Sequence, residues 1–213
     1  MEEIKIRPYS QNDRDSVRQI AWDTAFFGGS AAVFFENKEV FTDFLTCYYI
    51  DYEPQSCFVA AAGDEVIGYL IGAKDTKAKR RGLFPKILFK AIKQGVFFRK
   101  KNLHFILSCL KSLMRGEFKS PDFSCEYPAT MHINIKERFR SQGIGAKLIT
   151  VYLDYLKKEK VKGLHLATLS EKAARFYEKL GFVLLHRAKR SYFDHIVSGP
   201  VYCNVYGKKL SIE

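Results

Sequence analysis

A glycine-containing turn between Arg140 and Ala146 carries the clearest chemical signal in this sequence. A short alternating apolar stretch precedes it, and an amphipathic segment follows it as far as Lys160. The first N–H groups of a helix have no intrahelical partner, and the helix dipole places partial positive charge at that end. Gly143 and Gly145 lack the Cβ atoms that would obstruct a close approach. The turn therefore predicts a binding site for a phosphate or pyrophosphate.

The spacing of the turn separates it from two common nucleotide motifs. A dinucleotide-binding fingerprint needs a third glycine where Leu148 stands, and a P-loop needs serine or threonine after Lys147. What remains is Arg-x-x-Gly-x-Gly followed by a helix, whose predicted apolar face is Ile144, Leu148, Tyr152 and Tyr155. We expect this helix to end in lysines, with Gly163 just beyond them as the terminating glycine.

A second, independent segment lies downstream. Residues 164–168 predict a strand, residues 171–180 predict a helix closed by Gly181, and a new strand is expected from Phe182. The centre of this segment is Ala173-x-x-Phe-Tyr-Glu-Lys-Leu-Gly-Phe. Together the two segments resemble the GNAT N-acetyltransferase superfamily. Within it, the strand entry from Tyr127 to Asn134 is similar to that of bacterial members, and there is some likeness to the acetyltransferase-like domain of O-GlcNAc hydrolases.

The resemblance implies one domain over residues 1–213, of class α/β (α+β), with a mixed, mostly antiparallel central sheet flanked by helices. Residues 4–8 fit its first strand, and residues 13–25 fit its first helix, with Asp13 available as the cap. Residues 57–62 and 66–73 predict two strands of a hairpin joined at Gly63-Asp64.

The resemblance also implies acetyl-CoA as cosubstrate and assigns residues to it. Backbone N–H groups of the turn bind the pyrophosphate, Arg140 adds charge, and the pantetheine arm pairs with the strand before the turn. Ser170 stands where the family commonly has asparagine, which weakens the inference about that contact. The cofactor-binding residues so assigned are Ile133, Asn134, Ile135, Arg140, Gln142, Gly143, Ile144, Gly145, Ala146, Ser170, Ala173 and Phe176.

Catalysis by such a site needs an acid for the departing thiolate and a neutral amine as nucleophile. By resemblance, Tyr177 is the acid. An amine with a pKa of about 10.4 is mostly protonated at neutral pH, so a base or desolvation is needed. His132 is the leading candidate because it lies on the strand before the turn, opposite in parity to its apolar neighbours. Glu126 comes second, followed by His165 and Asp194, and a water chain is the alternative to a dedicated base.

Positive charge is concentrated in one segment of the chain. Residues 74–119 contain 14 Lys or Arg and 2 acids, which equals the whole net charge of +12. Because the fold needs only a short connection there, residues 77–124 are predicted to be an insertion of two basic amphipathic helices, closing near Gly95 and Gly116. Three interpretations stay open: helices packed on the sheet or each other, a lid over an anionic acceptor, or a surface for a membrane or, last, nucleic acid.

The remaining features bound the functional classes. The chain lacks a leader pattern and a long apolar run, so we expect a cytoplasmic protein. Its five cysteines are scattered and have no metal-ligand spacing, so neither a metal site nor a disulfide framework is expected. Aromatic residues in three regions are equally suited to an acceptor pocket or to the core, and the last strands, residues 192–210, offer a pairing edge for a homodimer. Those three regions are residues 26–30, the helix around Phe41 to Tyr49, and residues 192–206.

The leading functional hypothesis is an acetyl-CoA-dependent transferase acting on a primary amine of a small molecule or a protein. Two alternatives are a catalytically weak or inactive binding module and a basic membrane- or anion-docking protein on the same scaffold.

Overall fold

A seven-stranded mixed sheet forms the centre of the computed structural model, which describes residues 3–76 and 83–211. The strand order is β1-β2-β3-β4-β5-β7-β6, and every neighbouring pair is antiparallel except β4 with β5. This confirms the predicted α/β class. The strands are β1 (Ile4–Pro8), β2 (Cys57–Ala62), β3 (Glu65–Ala73), β4 (Ala129–Ile135), β5 (Gly163–Thr168), β6 (Val183–Lys189) and β7 (Tyr202–Lys209).

Helices cover both faces of the sheet. The longer described helices are α1 (Arg14–Thr24), α2 (Lys38–Cys47), α3 (Leu83–Lys93), α4 (Lys100–Met114), α5 (Ile144–Lys158) and α6 (Glu171–Lys179). On one face α5 and α6 bury apolar side chains such as Leu148 and Ala174 against the strands. On the other, α1 and the turn after α2 bury Val17 and Tyr49 against β2 and β3. None of the described helices is long and apolar enough to span a bilayer.

The start of α1 differs from the predicted cap. Asp13 precedes α1 with helical backbone angles, and its side chain makes no capping bond to that helix. Ser10 instead begins a single 3-10 turn, residues 11–13, and its backbone N–H donates to the Asp13 carboxylate at 2.8 Å. Arg7 also donates to that carboxylate in a bidentate pair at 2.7 Å. The acid therefore ties β1 to α1, a contact that the local sequence pattern does not show.

Gly163 does not terminate α5. The positive φ that ends the helix belongs to Lys160, at +57°. Gly163 is the first residue of β5, and a Cβ there would lie 2.9 Å from the carbonyl oxygens of Glu126 and Lys208. The prediction was wrong because the glycine is required by neighbouring backbone and not by the helix end.

The expected free edge at residues 192–210 is also absent. Residues 190–201 contain no strand, and β7 lies inside the sheet between β5 and β6. The edge on this side is β6, which exposes Val183 and Leu184. The strand at this edge whose backbone could pair with a second copy is therefore β6 and not β7.

The basic insertion forms two helices between β3 and β4, as predicted. Left-handed Gly95 and Gly116 follow α3 and α4, at φ of +64° and +74°. The inner side of the insertion packs against the segment after α1 and the loop before β7, and not on the sheet, in a cluster that includes Phe34 and Phe193. Lys90 pairs with Asp43 and thereby joins α3 to α2. Residues 77–82, which include Lys77, Lys79, Arg80 and Arg81, lie outside the described residues.

Candidate active site

The sheet opens between β4 and β5. These parallel strands pair only at Ala129 with Leu164 and at Thr130 with His165. Beyond Thr130, β4 continues to Ile135 paired with β3, whereas β5 continues paired with β7. The two strands therefore diverge and leave unpaired backbone groups along β4. An extended amide-containing chain can enter there and hydrogen bond to the strand edge.

The turn before α5 presents unsatisfied donors next to that opening. Ser141 and Gly143 both have positive φ, at 64° and 76°. Among the described residues, no protein acceptor takes a hydrogen bond from the backbone N–H groups of residues 142–146, and the first bond of this helix runs from Lys147 to the Gly143 carbonyl. A Cβ at Gly143 would meet nothing within 4 Å. The turn thus faces open space with free N–H groups at the positive end of a 15-residue helix.

Arg140 is held at the base of the turn by backbone carbonyls. Its Nε donates to the Ile135 carbonyl oxygen at 3.0 Å, and one terminal nitrogen donates to the Gly28 carbonyl oxygen at 2.8 Å. A Cβ on Gly28, whose φ is +95°, would lie 2.9 Å from the guanidinium. Arg140 therefore brings positive charge to the turn and connects it to the segment after α1, a link that sequence reasoning did not identify.

The start of α6 holds the remaining residues that were predicted to contact the cofactor. Ser170 caps this helix, its hydroxyl accepting from the Ala173 N–H at 3.3 Å, so serine keeps a local capping role at the position where the family commonly has asparagine. Phe176 lies against the turn: a Cβ at Gly145 would stand 3.2 Å from its ring. Gly145 is thus required for helix packing, and Gly143 borders the open space. Ile144 is buried in the core.

Tyr177 is almost fully buried beside the opening. Its ring contacts Phe176, Phe182 and Tyr206, with centroids 5.5 to 6.3 Å apart. No hydrogen bond to its hydroxyl is found among the described residues. Burial raises the pKa of the Tyr177 phenol, so the group is protonated at neutral pH and can donate.

The strand residues of the predicted site divide between the two faces of the sheet. Ile133 and Ile135 pack against the core beneath α5. His132 and Asn134 point to the opposite face, where the Asn134 amide donates to the Tyr69 hydroxyl at 2.8 Å and His132 meets the edge of Tyr49 at 5.7 Å. Asn134 therefore has a structural partner, and His132 is exposed at the opening.

Glu126 lies away from the opening. Its carboxylate pairs with the Lys209 Nζ at 2.8 Å, and Lys209 is the strand partner of Gly163 at the start of β5. The Glu126 side chain is 65% exposed. This position argues against Glu126 as the base, because its carboxylate is turned to solvent at the closed end of the strand pair.

A cavity of about 300 Å³ lies on the same face as His132. The end of the insertion, β5 and β7 line it, and its polar residues include Asp122, Ser124, His165 and Arg190. Ser124 is buried, and no other described residue forms a hydrogen bond with its hydroxyl. Sequence reasoning ranked His165 low and missed the other three, because no motif or periodicity marks them.

His165 has a defined ring orientation in this cavity. Its Nδ1 lies 2.6 Å from the Tyr127 carbonyl oxygen. A carbonyl only accepts, so the neutral ring carries its proton on Nδ1 and a lone pair on Nε2. His165 pairs with Thr130 at the last register position before the strands diverge. Its ring is therefore placed at the mouth of the opening.

Comparisons with known proteins agree with this geometry. Residues 118–184 match the family model of the acetyltransferase (GNAT) domain. The protein SsHAT shares 23% identity at a TM-score of 0.65 over 98% of this chain and 99% of its own. The Drosophila melanogaster polyamine N-acetyltransferase shares 14% at a TM-score of 0.64, over 98% and 100%. The putative acetyltransferase yncA from Salmonella typhimurium, solved with acetyl-CoA, shares 12% at a TM-score of 0.56, over 99% and 95%.

No curated protein matches the sequence significantly. The proposed likeness to O-GlcNAc hydrolases finds no support in the family match or in these structures. The divided sheet, the open turn and the matched segment agree with the resemblance predicted from the two motifs. Residues 118–184 are thus similar to the acetyltransferase (GNAT) domain, and the chain as a whole has the fold of these acetyltransferase structures.

Proposed function

We propose that this protein transfers the acetyl group of acetyl-CoA to a small primary amine bound in the cavity beside β5. The observation that carries the proposal is the opening between β4 and β5: the donor-rich turn precedes α5 on one face of the sheet, and His165, at the last paired position before the opening, lines the cavity on the other. A thioester arm that follows β4 would bring its acetyl group to the face that carries His165 and Asp122. The GNAT match supports the same reaction class.

The proposed chemistry uses groups on both sides of the opening. The ammonium form of the acceptor binds near the Asp122 carboxylate, and His165 Nε2 takes its proton. The neutral amine then attacks the thioester carbonyl carbon, forming the C–N bond, and the C–S bond breaks. Tyr177 donates a proton to the departing thiolate, and the proton that the nitrogen then loses returns to the Tyr177 phenolate through solvent, so that the neutral amide and the CoA thiol leave.

The volume and polarity of the cavity favour a small acceptor. About 300 Å³ is at the lower end of the range for small-molecule sites. Asp122 suits a cationic amine, and Arg190, which also lines the cavity, donates to the Glu117 and Lys189 carbonyl oxygens. The buried Ser124 hydroxyl offers a further polar contact. These features support a small molecule over a protein side chain as the acceptor.

The test is release of free CoA thiol from acetyl-CoA in the presence of a panel of primary amines. We expect turnover with at least one small diamine or amino sugar. His165→Asn keeps an amide nitrogen near the Tyr127 carbonyl but has no base, so kcat should fall about a hundredfold and the acid limb of the pH–rate profile should disappear. His132→Asn is the matched control and should change kcat by less than about threefold.

Two results would count against the proposal. Tight acetyl-CoA binding without turnover on any amine would favour the inactive binding module. A large loss in the His132→Asn variant together with an unchanged His165→Asn variant would return the base to His132.

A further inference from the structure

Helix α4 exposes a row of large apolar side chains. Leu103, Leu107, Leu110 and Met114 recur at intervals of four, three and four residues, which places them along one side of a helix. They are 42%, 46%, 49% and 79% exposed. Such rows are normally buried, and an exposed one marks a surface that contacts something else. We call these four residues the α4 stripe.

The other two sides of α4 are different in character. Asn102 and Ser112 are fully buried on the inner side, where Asn102 donates to the Val96 carbonyl oxygen at 3.1 Å. At a rotation of about 100° per residue, the side between the inner residues and the stripe carries Lys100, Lys111 and Arg115. The inner side also contributes Phe105 and Ile106 to the cluster around Phe34 and Phe193. The helix is therefore anchored by its inner side, and the stripe is not needed for packing within the chain.

Helix α3 repeats the arrangement. Phe89 and Ile92 are 68% and 58% exposed, and Phe98, which follows α3, is 91% exposed. Lys86 and Lys93 adjoin them on the exposed side. Lys90 is turned inward to Asp43, which fixes the orientation of the helix. Both helices of the insertion thus combine exposed apolar side chains with lysines.

The charge around the α4 stripe and the exposed apolar residues of α3 indicates which kind of partner they contact. The segment from Lys74 to Lys119 has 14 basic residues and 2 acidic ones, which accounts for the whole net positive charge of the chain. A second copy would bring the same charge against it and be repelled. A nucleic acid would use the lysines and leave the apolar side chains in water. An anionic bilayer surface accepts both, because side chains such as Phe89 enter the interface while lysines contact lipid phosphates.

We propose that the insertion docks the protein on an anionic lipid bilayer through the α4 stripe and the exposed apolar residues of α3. This surface is separate from the acetyltransferase site, so the proposal does not depend on the catalytic assignment. Docking of this kind lies in the plane of the interface and needs no membrane-spanning helix.

The test is sedimentation with vesicles of phosphatidylcholine, alone or with about 30% phosphatidylglycerol. We expect binding to the anionic vesicles only, weakening steeply as salt shortens the screening length from about 10 Å at 0.1 M. Leu107→Gln combined with Leu110→Gln should abolish it. Lys100→Gln combined with Lys111→Gln should weaken it about twenty-fivefold, at roughly fivefold per basic residue.

Two double variants serve as matched controls. Lys157→Gln with Lys158→Gln removes two exposed charges at the end of α5, and Val183→Gln with Leu184→Gln removes two exposed apolar side chains from β6. Neither should change vesicle binding. Circular dichroism and acetyl-CoA binding report whether each variant is folded. If the leucine double variant unfolds, the lysine double variant still tests the proposal.

Three outcomes would overturn the proposal. The wild type would fail to bind anionic vesicles at low salt, or the controls would lose as much binding as the insertion variants. In the third, sedimentation velocity would show a dimer that the Leu107 and Leu110 substitutions dissociate, without any vesicle binding. That result would assign the α4 stripe to a second copy of the chain.

Discussion

Replacing Gly143 by glutamate tests the cofactor site most directly. This residue begins α5 with φ of +76°, and no described protein atom lies within 4 Å of the Cβ that a substitution would add. The added Cβ therefore meets no steric obstacle. It enters the space that the free N–H groups of the turn face, where the pyrophosphate is expected.

The substitution should have two separate effects, one on the stability of the protein and one on its affinity for acetyl-CoA. The left-handed backbone should lower the free energy of unfolding by about 1 to 2 kcal/mol with any residue other than glycine. A carboxylate about 5 Å from a phosphate charge, at an effective dielectric constant near 20, adds about 3 kcal/mol of repulsion. Since about 1.4 kcal/mol is a factor of ten, acetyl-CoA affinity should fall at least a hundredfold.

Gly116 provides a matched control for the backbone part. Its φ is +74°, and the nearest atoms to an added Cβ are the side-chain carbons of Lys119 at 3.6 Å. Gly116→Glu should therefore lower the free energy of unfolding by a similar amount without affecting the cofactor. Calorimetric titration with acetyl-CoA and with desulfo-CoA measures affinity, and urea unfolding measures stability.

The reasoning fails if Gly143→Glu binds acetyl-CoA as tightly as the wild type, since the pyrophosphate would then lie elsewhere. It also fails if Gly116→Glu loses affinity equally, because the loss would then come from general destabilisation and not from the turn.

Two further predictions concern Tyr177 and Asp43. Tyr177→Phe should lower kcat about a hundredfold. Acetyl-CoA affinity and stability should be nearly unchanged, because the Tyr177 hydroxyl has no hydrogen-bond partner among the described residues. Steady-state kinetics and calorimetry measure these effects, and an unaltered kcat would assign the ring to packing. Asp43 lies buried between Arg18 and Lys90. Asp43→Asn should cost roughly 3 kcal/mol in urea unfolding by leaving Arg18 underpaired, whereas Glu39→Gln, 60% exposed, should cost under about 1 kcal/mol. Burial acts to raise the Asp43 pKa, but bonds from Lys90 and Arg18 outweigh it and hold the pKa below its usual value. The contribution of Asp43 to the free energy of unfolding is thus complete above about pH 4 and is lost as the pH falls through the lower pKa of the folded state. The difference in free energy of unfolding between wild type and Asp43→Asn should therefore shrink in acid.

Local signals in the sequence determined most of the fold. The alternation at residues 131–135, the glycines before α5 and the segment around Phe176 each act over a few residues, so helix and strand boundaries follow from them closely. The same is true of the two insertion helices, because their apolar spacing and their closing glycines are local. The anion-binding turn was predicted for the same reason: its chemistry depends on backbone conformation that glycine permits.

Only the tertiary structure decided which distant groups meet. Arg140 contacts Gly28 across 112 positions, and Ser124, His165 and Arg190 enter one cavity from three parts of the chain. Gly163 looked like a helix terminator because glycine has that local use, but its real constraint is backbone from two other segments. The sequence could therefore predict the cofactor turn, whereas the acceptor cavity and the exposed stripe on α4 depended on which surfaces the fold covers and which it leaves open.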